Sequence, residues 1–263
     1  MKRFILGAGP DRENLVRLDG DDYHYLVQVR RLAVGERFPA LLPDNGGNVT
    51  VRIVSTENQV LTGEVLPDET VPVSPRELPP IILMQSMLKG DKMDLIIRQA
   101  AEGALSQIVP FVSSYSVVKI KDNEGMKLSR WQRIIREARQ QSGSTVATVI
   151  HQPVNLNGLF TYWGQLKSTW PGIVGLLFHQ LPLANESLHR YLGRNEHTET
   201  PEAVALAIGP EGGFSPAEAQ RFVAVGFKPF TIEDVILRSE TAALYAQAAV
   251  RTLLAERDSW QTT

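Results

Sequence analysis

The chain has 263 residues, 43% of them apolar and 21% charged, a net charge of −2 and no cysteine. That length exceeds what most single cores need and suits two domains, and the lack of cysteine excludes a disulfide scaffold, a thiolate zinc site and a cysteine nucleophile. The near-neutral balance gives no argument for nucleic-acid binding, so such a function has to rest on a local patch.

His24, His151, His179, His189 and His197 are scattered, with no HxxxH or HExxH spacing, so no metal is expected. The apolar runs Ile173–Phe178 and Ala203–Ile208 fall far short of the roughly 20 residues of a spanning helix. The start, MKRFILGAGPD, reaches charge too early for a signal peptide. No membrane association and a cytoplasmic location are expected.

Residues 1–72 read as β-rich. Apolar stretches at Arg37–Leu42, Asn48–Ser55 and Val60–Val65 are separated by the turn clusters Pro43–Gly47 and Thr56–Asn58. One helix is expected from Asp21 to about Leu32, capped by Asp19 or Asp21, with Tyr25, Leu26 and Val29 on its apolar face. The composition predicts a small barrel. The proline-rich run Val71–Pro80 is a stiff connector and the best domain boundary.

From residue 78 to residue 263 strands alternate with helices: Ile81–Gln85, Lys92–Ala104, Gln107–Val112, Ser129–Ser142, Ile173–Phe178, Ala203–Ile208, Pro216–Val225 and about Glu240–Glu256. Such alternation predicts a mainly parallel sheet covered on both faces. Lys119, Lys121, Lys127, Arg130, Arg133, Arg136 and Arg139 outnumber Asp122, Glu124 and Glu137 and form the local basic patch. Arg130, Arg133 and Arg136 suit RNA phosphates and Arg139 is placed to turn inward, with a solvated helix face paired with Glu137 as the alternative.

The most informative stretch is Ala203–Glu218. An unbroken apolar strand ends in Gly209-Pro210-Glu211-Gly212-Gly213, where the chain turns sharply and a ligand can approach the backbone. Ser215, Pro216 and Glu218 then fit the N-cap, N1 and N3 of a helix that Gly226 stops. The spacing is neither GxGxxG nor a P-loop, and a tight turn without a ligand remains an alternative. The second stretch, Thr231–Ala242, places Arg238, Ser239, Glu240 and Thr241 at a loop-to-helix junction, with Ser239 as N-cap and free backbone N–H groups for a ligand. Plain capping with Arg238 in a salt bridge is the alternative there.

Together Ile208–Phe214 and Ile236–Ala242 resemble the knot motifs of the RsmE family, the 16S ribosomal RNA uridine N3-methyltransferases of the SPOUT superfamily. Lys89–Asp94, Glu102, Ile108–Pro110, Glu137–Gly143, and His24 with Val29–Arg31 and Val34-Gly35 extend the resemblance over nearly the whole chain. The chain departs from the family at Glu102–Leu105, at Ser144 where arginine is usual, and at Ile232-Glu233.

The resemblance implies an α/β SPOUT methyltransferase domain over residues 78–263, with a deep trefoil knot and a parallel sheet. It also implies a PUA-like, RNA-binding β-barrel over residues 1–72, a homodimer, S-adenosyl-L-methionine as cofactor, and 16S rRNA of the small subunit as partner, with methyl transfer to N3 of uridine 1498. A ribose 2′-O-methyltransferase and a non-catalytic RNA-binding assembly factor are the alternatives. Cofactor contacts are expected from Leu177, Ile208, Gly209, Pro210, Gly212, Gly213, Ile232, Leu237, Ser239, Thr241 and Ala242. Arg238 suits stabilisation of a uridine anion, and Glu240 and Glu211 suit proton acceptance unless they are structural carboxylates. RNA contacts are expected from Arg30, Arg31, Lys89, Arg130, Arg133, Arg136 and Arg139, whereas His24 reads more readily as a core or capping histidine.

Overall fold

The computed structural model describes residues 3–43, 47–67, 78–117, 124–179, 187–192, 200–232 and 235–257. The chain divides into two compact units, Met1–Arg76 with Arg136–Ala147, and Glu77–Ile135 with Thr148–Thr263. Most of the expected connector, together with Lys119, Lys121, Asp122, His197 and Glu233, lies outside the described residues.

The N-terminal unit is a five-stranded sheet built from β1 (Phe4–Ile5), β2 (Leu15–Leu18), β3 (Arg37–Leu41), β4 (Asn48–Ser55) and β5 (Leu61–Pro67). Its order is β1-β3-β4-β5-β2, antiparallel except for the β1–β3 pair. Alternating residues of β4, Val49, Val51 and Ile53, point into a core shared with Phe4, Leu18, Phe38 and Leu61. The helix in this unit differs from its expected form. A short turn α1 (Gly20–Tyr23) runs on as a π-helical stretch, His24–Val29, in which Arg30 N–H donates to the Tyr25 carbonyl at 2.9 Å. Wider winding advances each residue through a smaller angle, so positions spaced for an α-helix no longer share a face. Leu26 is buried as expected, but Tyr25 and Val29 are 37% and 59% exposed.

The second unit carries a parallel sheet of seven strands: β6 (Ile81–Ser86), β7 (Gln107–Val112), β8 (Val149–Ile150), β9 (Val154–Asn155), β10 (Ile173–Phe178), β11 (Ala203–Ile208) and β12 (Phe227–Phe230). The order is β12-β10-β11-β6-β7-β8, with β9 also on β7. Its helices are α2 (Lys92–Glu102), α4 (Leu156–Thr169), α5 (Leu188–Leu192), α6 (Pro216–Ala224) and α7 (Ser239–Glu256), together with the first part of α3 (Glu124–Ser142), whose residues from Arg136 on belong to the N-terminal unit. β11 is buried along its whole length, as a strand covered on both faces must be. Its Ala203, Ala205 and Ala207 meet Leu159 and Trp163 of α4 and Phe222 of α6. The alternate residues point to the opposite face, where α7 packs on β11 and β6.

The sequence reading omits α4, the short α5 and five of the short strands. It set the start of α6 correctly: Ser215 and Glu218 form the reciprocal capping box, with Pro216 behind Ser215 and Gly226 at φ +101 past the end. At α7 the boundary shifts. Arg238, with extended backbone, is the N-cap and Ser239 the first helical residue, which releases the Ser239 hydroxyl for another bond.

A polar cluster sits at the amino end of β7. His151 Nε2 lies 2.9 Å from Gln107 Oε1 and 3.1 Å from the Tyr162 hydroxyl, which also donates to Gln107. Burial lowers the His151 pKa from its usual 6.5 and raises that of Tyr162. Below pH 6.5 the unfolded chain therefore binds a proton that the folded chain resists. Stability from this site is complete above that pH and is expected to fall as the solution is acidified through it. Denaturant unfolding from pH 8 to 5 checks this, because His151→Gln should flatten that part of the profile. An unchanged slope in the variant would contradict it.

Candidate active site

In an open parallel sheet the carboxyl ends of the strands face loops free to bind ligands, above all where the strand order reverses. Here β6 is the first strand of the sheet, with β7 added on one side and β11 on the other. A pocket opens at the ends of β10, β11 and β12, the place where such sheets take small ligands. Phe178, Ile208 and Phe230 end those strands and form its apolar floor, joined by Ile232 and Leu237.

One wall is the glycine turn. Gly213 has φ +69, a conformation costly for other residues, and its N–H donates to the Pro210 carbonyl at 2.9 Å. Gly209 is needed for space, since a Cβ there would lie 3.1 Å from the Gly213 carbonyl carbon. The other wall is the segment before α7. The two are cross-linked: Ser239 Oγ donates to the Gly209 carbonyl at 2.5 Å, and Gln85 Nε2 donates to Ser239 Oγ at 3.1 Å and to the Ser86 carbonyl at 2.9 Å. Gln85 is fully buried at the end of β6, and its Oε1 has no hydrogen-bond partner among the described residues. Thr231 Oγ1, at the pocket wall, is likewise buried without a partner. An unmet hydroxyl beside a glycine cradle and an apolar floor suits a ligand that is part heterocycle, part polar chain.

Lys92, at the start of α2, joins the two carboxylates of the site. Its Nζ donates to Glu211 Oε1 at 3.2 Å and lies 3.5 Å from Glu240 Oε2. Partial burial would raise the Glu211 pKa, but hydrogen bonds from its own backbone, from Lys92 and from the Lys89 backbone, with the Lys92 charge, outweigh that and hold it below the usual range. Glu218 follows the same pattern, its burial outweighed by donors from Ser114 and Ser215, so the turn rests on an ionised anchor.

Of the residues expected at the cofactor, Ile208, Gly209, Pro210, Gly213, Ile232, Leu237, Ser239 and Ala242 line the pocket, and Glu211 with them. Leu177 does not: its side chain is buried in the sheet core, and alternation gives the wall to Phe178 instead. Gly212 lies against Tyr115, and Thr241 is exposed on α7. Arg238 is exposed beside the pocket, and Glu240 stands next to it on Lys92. Gln85, Lys92 and Thr231 were not singled out from the sequence.

The basic residues are dispersed. Arg130 pairs with Asp94 and stands 3.8 Å from Asp91. Arg136 Nη2 reaches both oxygens of Asp22 at 2.7 Å and the Ile5 carbonyl at 3.2 Å. Arg139 does turn inward, and burial lowers its pKa; its Nε and Nη2 have no partner among the described residues. Arg31, Lys89 and Arg133 are exposed and Arg30 is half-buried. His24 is also exposed, its Nδ1 2.5 Å from Gln28 Oε1, so it is no core histidine. Ser144, at the departure from the family pattern, keeps its hydroxyl buried without a partner among the described residues.

The family model for an RNA methyltransferase domain matches residues 76–251, and that for an RNA methyltransferase PUA domain matches residues 18–64. The ribosomal RNA small subunit methyltransferase E of Synechocystis is 32% identical over 96% of this chain and 78% of its own length. A second such protein, from Borreliella burgdorferi, is 31% identical over 97% of this chain and 98% of its own. Among solved structures, the ribosomal RNA small subunit methyltransferase E of Neisseria gonorrhoeae bound to S-adenosyl methionine superposes with a TM-score of 0.73 at 28% identity. It covers 96% of this chain and 98% of that one.

Proposed function

The chain belongs to the ribosomal RNA small subunit methyltransferase E family, and from that membership we propose that it transfers a methyl group from S-adenosyl-L-methionine to N3 of a uridine in 16S rRNA, uridine 1498 by family resemblance. The pocket between the glycine turn and the start of α7 is the observation that carries this reading. We take residues 1–72 as the PUA-like, RNA-binding domain and 78–263 as the knotted methyltransferase domain of a cytoplasmic homodimer.

S-adenosyl-L-methionine supplies a methyl on a sulfonium whose leaving group becomes a neutral thioether. The protein therefore needs no strong acid; it must align the methyl with N3 and keep water out. Ile208, Phe230 and Leu237 give the apolar surface for the adenine, while the turn around Gly209 and Gly213 brings backbone close to the ligand. The unpartnered oxygen of Thr231, at the pocket wall, would accept from its ribose or amino group.

N3 carries a proton and becomes nucleophilic only as that proton leaves. Arg238 holds the negative charge that develops on the base edge, a role suited to a guanidinium that stays protonated. Glu240 and Glu211 are the candidate proton acceptors, and Glu211 is held ionised by its donors, which weakens it as a base. N3 lies on the pairing edge, so the uridine must be unpaired or flipped out.

The test uses small ribosomal subunits from a strain lacking the enzyme, the purified protein and labelled cofactor, with mass spectrometry of the nucleosides and mapping of the position. N3-methyluridine at one site is the expected product. A methylated ribose would establish the 2′-O reading, and absence of both label and calorimetric heat with the cofactor would leave a non-catalytic RNA-binding protein.

A further inference from the structure

The N-terminal unit has a pocket of its own, which shares no lining residue with the one at the glycine turn. Arg3, Arg30, Tyr25, Glu137, Gln140 and Gln141 line it, all within that unit. Arg3 and Arg30 are half-buried, and neither guanidinium has an ion pair or hydrogen bond among the described residues. The neighbouring Arg136 differs, being taken up by Asp22. The Glu137 carboxylate in the same lining offsets one of the two charges, so the hollow keeps a net positive charge that favours an anion beside the guanidiniums. Guanidiniums match phosphate oxygens in geometry as well as charge.

The rest of the pocket is not built for phosphate alone. Tyr25 is 37% exposed, and its ring is backed by Phe4, with centroids 6.3 Å apart and planes 17° from parallel. The π-helical winding of His24–Val29 is what turns Tyr25 out of the core. Gln140 and Gln141 each offer an amide with both donor and acceptor, the pattern that pairs with a base edge.

We propose that this pocket binds one unpaired nucleotide of the substrate RNA, its phosphate on Arg3 and Arg30, its base stacked on Tyr25 and read by Gln140 and Gln141. The inference rests on the methyltransferase reading only for the identity of the polymer. It adds an anchor in the N-terminal unit besides the target uridine. Single-strand sites commonly join aromatic platforms to cations in this way.

The test is fluorescence anisotropy of the full chain with a labelled single-stranded RNA of about ten nucleotides, titrated over a range of salt. Arg3→Met with Arg30→Met is expected to lower the slope of log affinity against log salt by about 0.7 for each phosphate that is no longer neutralised. Tyr25→Leu should weaken binding roughly 5- to 150-fold at one salt concentration with the slope unchanged. Cofactor binding, measured calorimetrically in parallel, should not change in either variant. Equal slopes for wild type and the double arginine variant would overturn the proposal while leaving the methyltransferase reading intact. A normal response to the arginines with no loss in Tyr25→Leu would overturn the nucleotide and leave a bare phosphate site. Loss of cofactor heat in the wild type would instead sink the functional reading.

Discussion

Arg238→Ala is expected to slow methyl transfer by about 10²- to 10³-fold, the effect of removing one group aimed at developing charge. The backbone does not depend on the side chain. Arg238 is the N-cap of α7 through its carbonyl, which takes the Ala242 N–H at 2.8 Å, and it makes no side-chain capping bond. The guanidinium is exposed and has no partner among the described residues, so its loss should change stability by no more than about 0.5 kcal/mol. Cofactor affinity should stay within about twofold, because the pocket is lined by Leu237 and Ser239 on either side rather than by Arg238. The loss should therefore fall on kcat. Raising the pH ionises N3 without help from the protein, so the gap between variant and wild type should narrow in alkaline solution. Single-turnover rates from pH 7 to 9.5 measure this. Full turnover by the alanine variant would remove Arg238 from the mechanism.

What the sequence made legible were features encoded over a few neighbouring residues. The glycine turn, the capping box at Ser215 and Glu218 and the buried strand Ala203–Ile208 each depend on interactions close in the chain, and each stands where expected. Helix α4 was missed because Gly158, Gly164, Thr161 and three aromatic residues within it are weak helix formers. It is held instead by Asn155, whose side chain accepts from Gly158 N–H, and by Leu159 and Trp163 packed on the sheet. Two-residue strands such as β8 show no alternation to read. The dispersal of the arginines along α3 was also hidden. Arg136 finds Asp22 and Arg130 finds Asp94 only through tertiary structure, which turns part of an apparent cationic stripe into ion pairs.

Lys92 and Gln85 are extreme cases. Lys92 meets Glu211 across 119 positions, and Gln85 meets Ser239 across 154. In the sequence Gln85 is only the polar end of an apolar strand. Its importance comes from its register, opposite Ile208 on one side and Pro110 on the other, which places its amide under both loops of the pocket.

Replacing Gln85 with leucine, similar in volume, therefore separates the pocket from the fold. In the free protein two changes oppose each other. The Ser86 carbonyl loses a donor at 2.9 Å and Ser239 one at 3.1 Å, at a cost of about 1–3 kcal/mol for buried groups left unmet. Against that, the buried Oε1 that has no partner among the described residues is itself removed, which returns energy of the same order. Thermal stability of the free protein should then move by only a few degrees, at about 2–4 °C for each kcal/mol in a chain of this size. With the cofactor present the balance changes. The direct Ser239–Gly209 bond survives, but the loops lose the donor that fixes them in the shape that holds the ligand. Cofactor affinity should drop about tenfold, or 1.4 kcal/mol, and with it the rise in melting temperature that saturating cofactor gives. Gln85→Leu and Ser239→Ala should be non-additive, since both act through the Gly209 carbonyl. A variant that melts far below wild type yet binds the cofactor undiminished would make Gln85 a support for β6 and not a clamp on the pocket.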